Sequence, residues 1–418
     1  MFALVDCNNF YASCERVFQP QLNNTPIAIL SNNDGCFIAR SNEAKALGLP
    51  MGAPAFKYKK FCKKFDITVL SSNYPLYGDM STRVMNILST FTPDIEIYSI
   101  DEAFLKFEGF DYYNIDSYGR KIQYKVEKST GIPISIGIAP TKALSKVANK
   151  IAKQLKTKTN GVYIIHSDER RIKALKWTKI KDVWGIGKGY FKSLQSKNVT
   201  TAYDFTKLTD YWVKKEMGII GLRLKKDLEG LPVLDLNDDT KNRKAIATTR
   251  SFEHTYVNID DIKERVSTFA SSCAEKLRAQ KSNCNMIMVF LRSDQHKKND
   301  TQERSNTCIT LPYATNSSLT LSNHAVQAVL SIYKKGIRYK RAGVVVMGLT
   351  PTNERQLDLF QRENPKHEKL MKVIDKINNE HGYKLKIANQ DIQRTWKMRQ
   401  EHLSPKFTTN INDIIKVK

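Results

Sequence analysis

The sequence predicts a multidomain protein that combines α/β and α+β architecture, and three observations support this prediction. The chain has 418 residues, which is enough for about three to five domains. Segments typical of strands and helices alternate over roughly the first 160 residues, as in α/β proteins. Residues 244–350 follow the order β-α-β-β-α-β, which is typical of a ferredoxin-like domain.

The α/β region begins with a short buried strand over residues 2–6 that ends in Asp6. A helix follows, and either Asn8 or Asn9 is predicted to cap its N-terminus. Further along, residues 95–104 (IEIYSIDEAF) are predicted as one strand because apolar residues alternate along them.

The last helix of this region is predicted over residues 141–155 and carries a face of lysines. They are spaced by three and four, which places them on one side of a helix: Lys142, Lys146, Lys150 and Lys153. Residues 166–232 have helical patterns, a polar linker follows at 233–243, and the chain beyond residue 351 is polar and basic with one amphipathic helix near residues 367–380.

The charge of the chain indicates a polyanionic partner. Lysine and arginine number 67 against 42 acidic residues, so the formal net charge is +25. Nucleic acid is the first candidate and an anionic membrane surface the second. A generally basic protein without such a partner is the plain alternative.

Cysteine usage and the N-terminus predict a soluble protein of a reducing, cytoplasmic compartment. The seven cysteines are scattered, odd in number and without a CxxC pair, which disfavours a disulfide framework and a zinc site. The N-terminus lacks the features of a signal peptide, and no apolar run approaches the roughly 18 residues that a membrane span requires. We therefore expect no membrane partner.

Three acidic residues stand at the ends of apolar strands: Asp6, Asp101 and Glu102. A strand sends adjacent side chains to opposite faces, so Asp101 and Glu102 can share one site only where the strand ends, bulges or turns. If the two strands are neighbours, the three carboxylates converge at one edge of the sheet. Such a group repels itself unless it binds Mg²⁺ or Mn²⁺, and two such ions are typical of phosphoryl transfer. The alternative is that these acids are surface charges or cap turns.

Candidate phosphate-binding residues are Asn42 and Lys45 at a helix start, together with Lys142, Lys146 and Lys153 of the lysine face. A solvated helix face is the alternative for each lysine. The glycines Gly185 and Gly187 in DVWGIGKG favour a hairpin between two helices whose amides reach a DNA phosphate. A dinucleotide-binding turn is less favoured because no convincing strand precedes it, and an ordinary helix-linking turn stays open.

Several longer motifs together carry a family resemblance. They are VDCNNFYASCE, LSNNDGCFIARSNEAKALGL, SSNYPLYGDMSTRVM, YSIDEAF, GIPISIGIAPTKALSKVANKIAK and DVWGIGKG. In order and spacing they resemble the Y-family translesion DNA polymerases, and within that family the UmuC type, over essentially the whole chain.

The resemblance implies a right-hand polymerase with a ferredoxin-like palm, small fingers, a helix-hairpin-helix thumb and a β-α-β-β-α-β little finger that binds DNA. The implied boundaries are palm 1–9 and 71–165, fingers 10–70, thumb 166–232, linker 233–243, little finger 244–350 and C-terminal tail 351–418.

The resemblance also implies roles for the site residues. Asp6, Asp101 and Glu102 match the catalytic, metal-binding carboxylates, and the backbone carbonyl of Cys7 matches a further ligand of two Mg²⁺ ions, for which Mn²⁺ can substitute. Phe10 matches a residue under the incoming nucleotide. The remaining matches are residues expected to contact the sugar and the phosphates of the incoming nucleotide.

Tyr11 matches the steric gate, a ring that crowds a ribose 2′-OH, although Phe10 and Tyr11 by themselves would be predicted as core residues at a helix start. Asn42, Lys45 and Lys153 match contacts to the triphosphate. Many relatives have Tyr and Arg where this chain has Asn42 and Lys45, a departure shared by the UmuC type, and lysine cannot form the bidentate fork of arginine.

Two further motifs concern DNA and partners. The hairpin residues Gly185, Gly187 and Lys188 match a DNA-binding element. The pentapeptide QLDLF resembles the bacterial sliding-clamp-binding motif and comprises Gln356, Leu357, Asp358, Leu359 and Phe360. An incidental apolar turn is the alternative for this pentapeptide.

The resemblance implies an error-prone translesion DNA polymerase that transfers a nucleotide from dNTP to a primer 3′-OH in SOS-type damage tolerance and mutagenesis. Its implied partners are primer–template DNA, the sliding clamp, a processed UmuD-like dimer and the recombinase filament, in the cytoplasm at the bacterial nucleoid. Two alternatives stay open: a nucleotide cyclase, and a non-catalytic DNA-binding accessory factor of DNA repair.

Overall fold

The structure is a computed structural model that describes residues 1–237, 242–295, 297, 300–354, 364–382, 384–392 and 398–415. The chain divides into two compact units. The first comprises Met1–Asp239 together with Gln400–Lys418, and the second comprises Thr240–Arg399. The C-terminal end of the chain therefore belongs to the same unit as the N-terminal end.

The strands of the first unit form two sheets. In chain order they are β1 (Phe2–Cys7), β2 (Ile27–Leu30), β3 (Phe37–Arg40), β4 (Thr68–Leu70), β5 (Ile95–Ile97), β6 (Glu102–Lys106), β7 (Ile134–Ala139) and β8 (Val162–Ile164). One sheet has the order β5-β6-β1-β7-β8 and the other β3-β2-β4. The larger sheet places β1 in its interior, between β6 and β7.

Helices pack on both faces of the larger sheet, and further helices of the first unit lie away from it. They are α1 (Phe10–Phe18), α2 (Asn42–Ala46), α3 (Ala55–Lys64), α4 (Tyr74–Leu88), α5 (Ile115–Thr130), α6 (Lys142–Gln154), α7 (Lys156–Thr159), α8 (Asp168–Trp177), α9 (Lys188–Gln195), α10 (Ala202–Thr206) and α11 (Asp210–Glu229). Alternate residues of β1 (Ala3, Val5 and Cys7) join one core with α1, α4 and α5. The predicted helical character of residues 166–232 is confirmed.

The prediction of one strand over residues 95–104 is wrong. β5 and β6 are separate strands that pair antiparallel, and Asp101 lies in the bend between them. The Ser99 hydroxyl stabilises this bend, since it accepts hydrogen bonds from the backbone N–H groups of Asp101 and Glu102. Apolar residues recur at alternate positions on both sides of the bend, so the sequence pattern of one strand continues across it.

The close approach of α6 to the sheet depends on a glycine. A Cβ atom at Gly137 of β7 would lie 2.0 Å from the backbone nitrogen of Asn149 in α6, so no larger residue fits there. The Asn149 side chain donates hydrogen bonds to the carbonyl oxygens of Leu4 and Ser135. These contacts hold the lysine-bearing helix directly against β1 and β7.

The second unit has the predicted β-α-β-β-α-β order. Its elements are β9 (Ala245–Tyr256), α12 (Ile259–Ala279), β10 (Ser282–Ser293), β11 (Arg304–Thr315), α13 (Ser318–Ile332) and β12 (Tyr339–Pro351), followed by α14 (Lys366–His381). The sheet order is β11-β10-β12-β9, so each β-α-β unit is split by a strand of the other. The predicted amphipathic tail helix is confirmed as α14.

Helix α14 is attached to the second unit by a charged contact. The guanidinium of Arg278 in α12 donates to both carboxylate oxygens of Asp375, each at 2.6 Å. A bidentate pair of this kind fixes orientation as well as distance. Within the described ranges, no helix has the length and apolar composition needed to cross a lipid bilayer.

Candidate active site

The acidic residues predicted at strand ends meet at one edge of the larger sheet. β1 and β6 pair antiparallel with Asp6 directly opposite Glu102, so these two side chains lie on the same face. Asp101 is adjacent, because its carbonyl oxygen accepts a hydrogen bond of 2.8 Å from the Cys7 N–H. The condition for this convergence, that the two strands are neighbours, is met.

Asp6 is the one polar residue of an otherwise buried strand. Phe2, Ala3, Leu4 and Val5 are all buried, as is Cys7 on the other side of Asp6. Burial, with a smaller contribution from the carboxylates of Glu102 and Asp101, raises the pKa of Asp6 to about 6 against the opposing effect of Lys153. A carboxylate in this position is costly to ionise without a cation.

Two lysines of α6 supply positive charge to these acids. The Lys153 ammonium lies 2.6 Å from a carboxylate oxygen of Asp6, and the Lys146 ammonium lies 2.8 Å from one of Glu102. The Asp101 carboxylate instead accepts a hydrogen bond of 2.6 Å from the Ser99 hydroxyl. Each of the three acids is thus held by a different neighbour.

The donor set fits a hard divalent cation by its chemistry, because three carboxylates at one sheet edge are oxygen ligands of the kind that Mg²⁺ and Mn²⁺ prefer. Burial and, to a smaller extent, the neighbouring carboxylates raise the pKa of Asp6, and a divalent cation would relieve both effects. Among the described residues, no His, Cys, Asp or Glu side chains are grouped in threes or more as a metal site. In this structure the carboxylates of Asp6 and Glu102 contact lysines, and the carboxylate of Asp101 contacts the Ser99 hydroxyl.

The aromatic pair after β1 occupies two different environments. Phe10 is buried in the core, whereas Tyr11 is half-buried. The Tyr11 ring stacks on Tyr77 of α4, with centroids 4.4 Å apart and an interplanar angle of 14°, and meets Tyr74 edge-on at 6.1 Å. The Tyr11 ring is therefore held in place by its stack on Tyr77, and Phe10 is a core residue.

The cap of α1 departs from the prediction. Asn9 is the N-cap residue but its side chain caps no backbone N–H, and its φ is +50°. Its amide instead donates to Asn42 at 3.0 Å and accepts from Lys45. Asn8 does not cap either, since its side-chain oxygen accepts from the Ser135 hydroxyl.

Candidate phosphate-binding residues gather next to Asp6. The pKa of Lys45 is lowered by burial and by the neighbouring charges of Lys153 and Arg40. A group of cations that repel one another is complementary to a polyanion. Sequence reasoning missed Asn9 and Arg40 here; the consecutive asparagines before α1 were the only signal for Asn9.

The lysine face of α6 is not the solvated face offered as the alternative in sequence analysis. Lys142 is 2% exposed and its ammonium lies 2.6 Å from a carboxylate oxygen of Glu96. Lys142 therefore does not offer a phosphate contact. Lys150 pairs with Asp182 at 2.7 Å.

The glycine motif forms a turn that leads into α9. Gly185 has φ of +86°, which favours glycine, and Gly187 is the N-cap residue without a side-chain cap. Lys188 begins the helix and is exposed. The first amides of α9 are thus available to an anion. The pentapeptide Gln356–Phe360 lies outside the described residues.

Comparison with family models matches most of the chain. Residues 5–150 match the impB/mucB/samB family and residues 243–359 match its C-terminal domain. Residues 368–417 match a domain of unknown function, DUF4113. This last match spans α14 of the second unit and the C-terminal residues of the first.

Comparison with individual proteins gives similarity along the full length. Protein UmuC of Salmonella typhimurium strain LT2 is 37% identical over 100% of both chains. DNA polymerase IV of Bacillus velezensis is 25% identical over 91% of this chain and 90% of its own. The solved structure of a Y-family DNA polymerase chimera, Dbh-Dpo4(243-245)-Dbh, superposes with a TM-score of 0.67 at 18% identity, covering 84% of this chain and 100% of the other.

Proposed function

The chain belongs to the impB/mucB/samB family, and we propose that it is an error-prone translesion DNA polymerase. It transfers a nucleotide from a deoxynucleoside triphosphate to a primer 3′-OH opposite damaged template DNA, in SOS-type damage tolerance and mutagenesis. The observation that carries the proposal is the register of Asp6 opposite Glu102, with Asp101 beside them, in a chain that matches UmuC from end to end.

Asp6, Asp101 and Glu102 are the catalytic carboxylates of this proposal, and with the Cys7 carbonyl they would hold two Mg²⁺ ions, or Mn²⁺. When bound, the ions supply charge neutralisation and activation of the primer hydroxyl. The Cys7 thiol takes no part, because burial raises its pKa and keeps it protonated. The protein mainly positions the reactants and excludes competing geometries.

The nucleotide site is proposed around Tyr11, the steric gate, with Phe10 beneath it. The stack of Tyr11 on Tyr77 supports this role, since a gate must resist displacement by a 2′-OH. Asn42, Lys45 and Lys153 contact the triphosphate. Burial and then the charges of Lys153 and Arg40 lower the pKa of Lys45, which supports this placement because an anion beside these cations would offset both effects.

We propose the palm at residues 1–9 and 71–165, the fingers at 10–70, the thumb at 166–232, the linker at 233–243 and the little finger at 244–350. The thumb contacts the DNA backbone through Gly185, Gly187 and Lys188. The net charge of +25 supports DNA as the partner.

The tail at 351–418 carries the proposed clamp-binding motif at 356–360. Further proposed partners are a processed UmuD-like dimer and a recombinase filament, at the nucleoid in the cytoplasm. These partners rest on family membership alone.

Primer extension across an abasic template with Mg²⁺ tests the proposal. The protein and the Asp101→Ala variant are compared, with the sliding clamp, the UmuD-like dimer and the recombinase filament added in turn. Extension that disappears in the variant while DNA binding persists is the expected result. DNA binding without extension under every combination would instead indicate a non-catalytic accessory factor.

A further inference from the structure

A C-terminal segment of the chain, residues 400–407, lies against the proposed palm and fingers; we name it the return segment. Its backbone pairs with residue 71, because the Ser71 N–H donates to the His402 carbonyl at 2.9 Å and the His402 N–H donates to the Ser71 hydroxyl at 3.0 Å. Gln400 donates to the Ser72 carbonyl at 2.9 Å. The return segment therefore runs beside the chain that leads into α4.

The return segment also holds the N-terminus of α4. Asn73 is the N-cap residue of this helix, and its side-chain oxygen accepts from the Leu76 N–H. Its amide nitrogen donates to the Ser404 hydroxyl at 2.9 Å and to the Pro405 carbonyl at 3.1 Å. The orientation of the capping amide is thus set from the return segment.

Helix α4 carries two of the rings that contact Tyr11, Tyr74 and Tyr77, and a hydrogen-bonded chain links Tyr77 to the return segment. The Tyr77 hydroxyl donates to Glu15 at 2.7 Å, and the Ser404 hydroxyl donates to the same carboxylate oxygen at 3.0 Å. Glu15 and Tyr77 are both 0% exposed. If the return segment leaves, Glu15 loses its bond from Ser404 and Tyr77 keeps Glu15 as its partner.

An apolar contact completes the docking. Phe407 stacks on Phe18, the last residue of α1, with ring centroids 4.9 Å apart and an interplanar angle of 8°. Helix α1 begins with Phe10 and Tyr11. The return segment therefore contacts both helices that determine where the Tyr11 ring lies.

We propose that the return segment positions the steric gate: through Asn73, Ser404 and Glu15 it fixes Tyr77, on which the Tyr11 ring stacks. Ser404, Glu15 and Tyr77 are positioning residues in this view, and none contacts the nucleotide. The inference rests on the proposed role of Tyr11, and it assigns a task to the C-terminal part of the region matched as a domain of unknown function.

The test measures the ratio of kcat/KM for ribonucleotide to that for deoxynucleotide incorporation in primer extension by the full chain. Tyr77→Phe keeps the stacked ring and removes its hydroxyl, and Ser404→Ala removes the donor in the return segment. Each is expected to raise the ratio about fivefold, the effect of one buried hydrogen bond. Tyr11→Ala is the reference and should raise the ratio on the order of a hundredfold.

Two controls separate positioning from general loss of stability. Met85→Ala removes a buried side chain of α4 far along the helix from Tyr77, and Ile411→Ala alters an 81% exposed residue of the same C-terminal region. Both should leave the ratio within about twofold, a change smaller than the loss of one buried hydrogen bond. Thermal melting of every variant identifies any that is not folded at the assay temperature.

The outcomes distinguish the inference from the proposed function. A raised ratio in Tyr77→Phe and Ser404→Ala, with both controls unchanged, supports the inference. An unchanged ratio in those two variants while Tyr11→Ala raises it overturns the inference and leaves the gate standing. A ratio that rises equally in Met85→Ala also overturns it. If Tyr11→Ala has no effect, the gate assignment fails and the inference fails with it.

Discussion

Each end of α6 pairs a lysine with a carboxylate, but the two pairs differ in exposure. At its N-terminal end Lys142 pairs with Glu96, and both side chains are buried, at 2% and 3% exposure. At its C-terminal end Lys153 pairs with Asp6, and the lysine side chain is 37% exposed. One helix thus carries a sealed ion pair and an open one, separated by about three turns.

The surroundings of the two pairs explain the difference. Lys142 also donates to the Asp235 carbonyl at 3.2 Å, and Glu96 also accepts from the Asn237 N–H at 2.7 Å. The buried pair is thus compensated by further hydrogen bonds, as a structural pair must be. Asp6 instead shares its edge with two more carboxylates, and its raised pKa indicates an electrostatic environment that a divalent cation would improve.

The largest expected effect is a loss of catalysis when Asp6, the acid of the partly exposed ion pair with Lys153, is changed. Asp6→Asn should reduce primer extension about a thousandfold or more, because one ligand oxygen of the proposed metal site loses its charge. The melting temperature should not fall, since the substitution removes the cost of ionising a buried carboxylate, which outweighs its pairing with Lys153. Parallel extension and melting measurements check both statements, and a lowered melting temperature would make Asp6 a structural residue like Glu96.

The next effect is on stability at the buried pair. Lys142→Met should lower the free energy of unfolding by about 3–5 kcal/mol, because Glu96 is left buried without its cation. The double variant Lys142→Met, Glu96→Gln should recover much of that loss. Denaturant titration of the three proteins measures the difference. Equal instability in the single and double variants would contradict the role assigned to the unpaired charge.

A smaller effect concerns the affinity for the incoming nucleotide. Lys153→Met should raise KM for dNTP about tenfold with little change in stability, because a partly exposed ion pair contributes little to folding. Lys150→Met is the matched control one turn away, where the lysine pairs with Asp182 instead. Steady-state kinetics of both variants decide the matter, and an equal change in KM would remove Lys153 from the triphosphate site.

The smallest effect comes from a third arrangement, a buried carboxylate without a lysine. Glu15 accepts from Tyr77, Ser404 and Gln19, and burial raises its pKa. The folded protein therefore keeps this proton to higher pH than the unfolded chain does, so stability from Glu15 is present at low pH and is lost as pH rises through the folded pKa.

The Glu15→Gln variant lacks this titration. Its melting temperature relative to the parent should therefore increase as pH rises from below 4.5, the ordinary pKa of glutamate, to neutrality. Melting curves across that range provide the check. A difference that stays constant with pH would mean that Glu15 ionises as readily in the folded protein as in the unfolded chain.

Much of the fold could be predicted from local patterns. The β-α-β-β-α-β order of the second unit and the helix α14 follow from periodicities of 2 and 3.6 residues, which are properties of neighbouring residues. The neighbouring placement of β1 and β6 was the assumption on which the argument about their terminal acids depended, and the structure supplies it. The bend at Asp101 could be raised only as a condition for Asp101 and Glu102 to share a site, because apolar residues on both sides of it keep the alternation of one strand.

Local patterns in the sequence place most helices and strands, except the bend at Asp101, and identify the acids, lysines and aromatic rings that the chain offers. Tertiary contacts are needed to show that Lys142 is buried in its ion pair while Lys153 is partly exposed, and that Asn73 is held by Ser404, 331 positions away. The physical reason is that burial and charge pairing depend on which surfaces meet in space. Periodicity along the chain carries no information about such distant contacts.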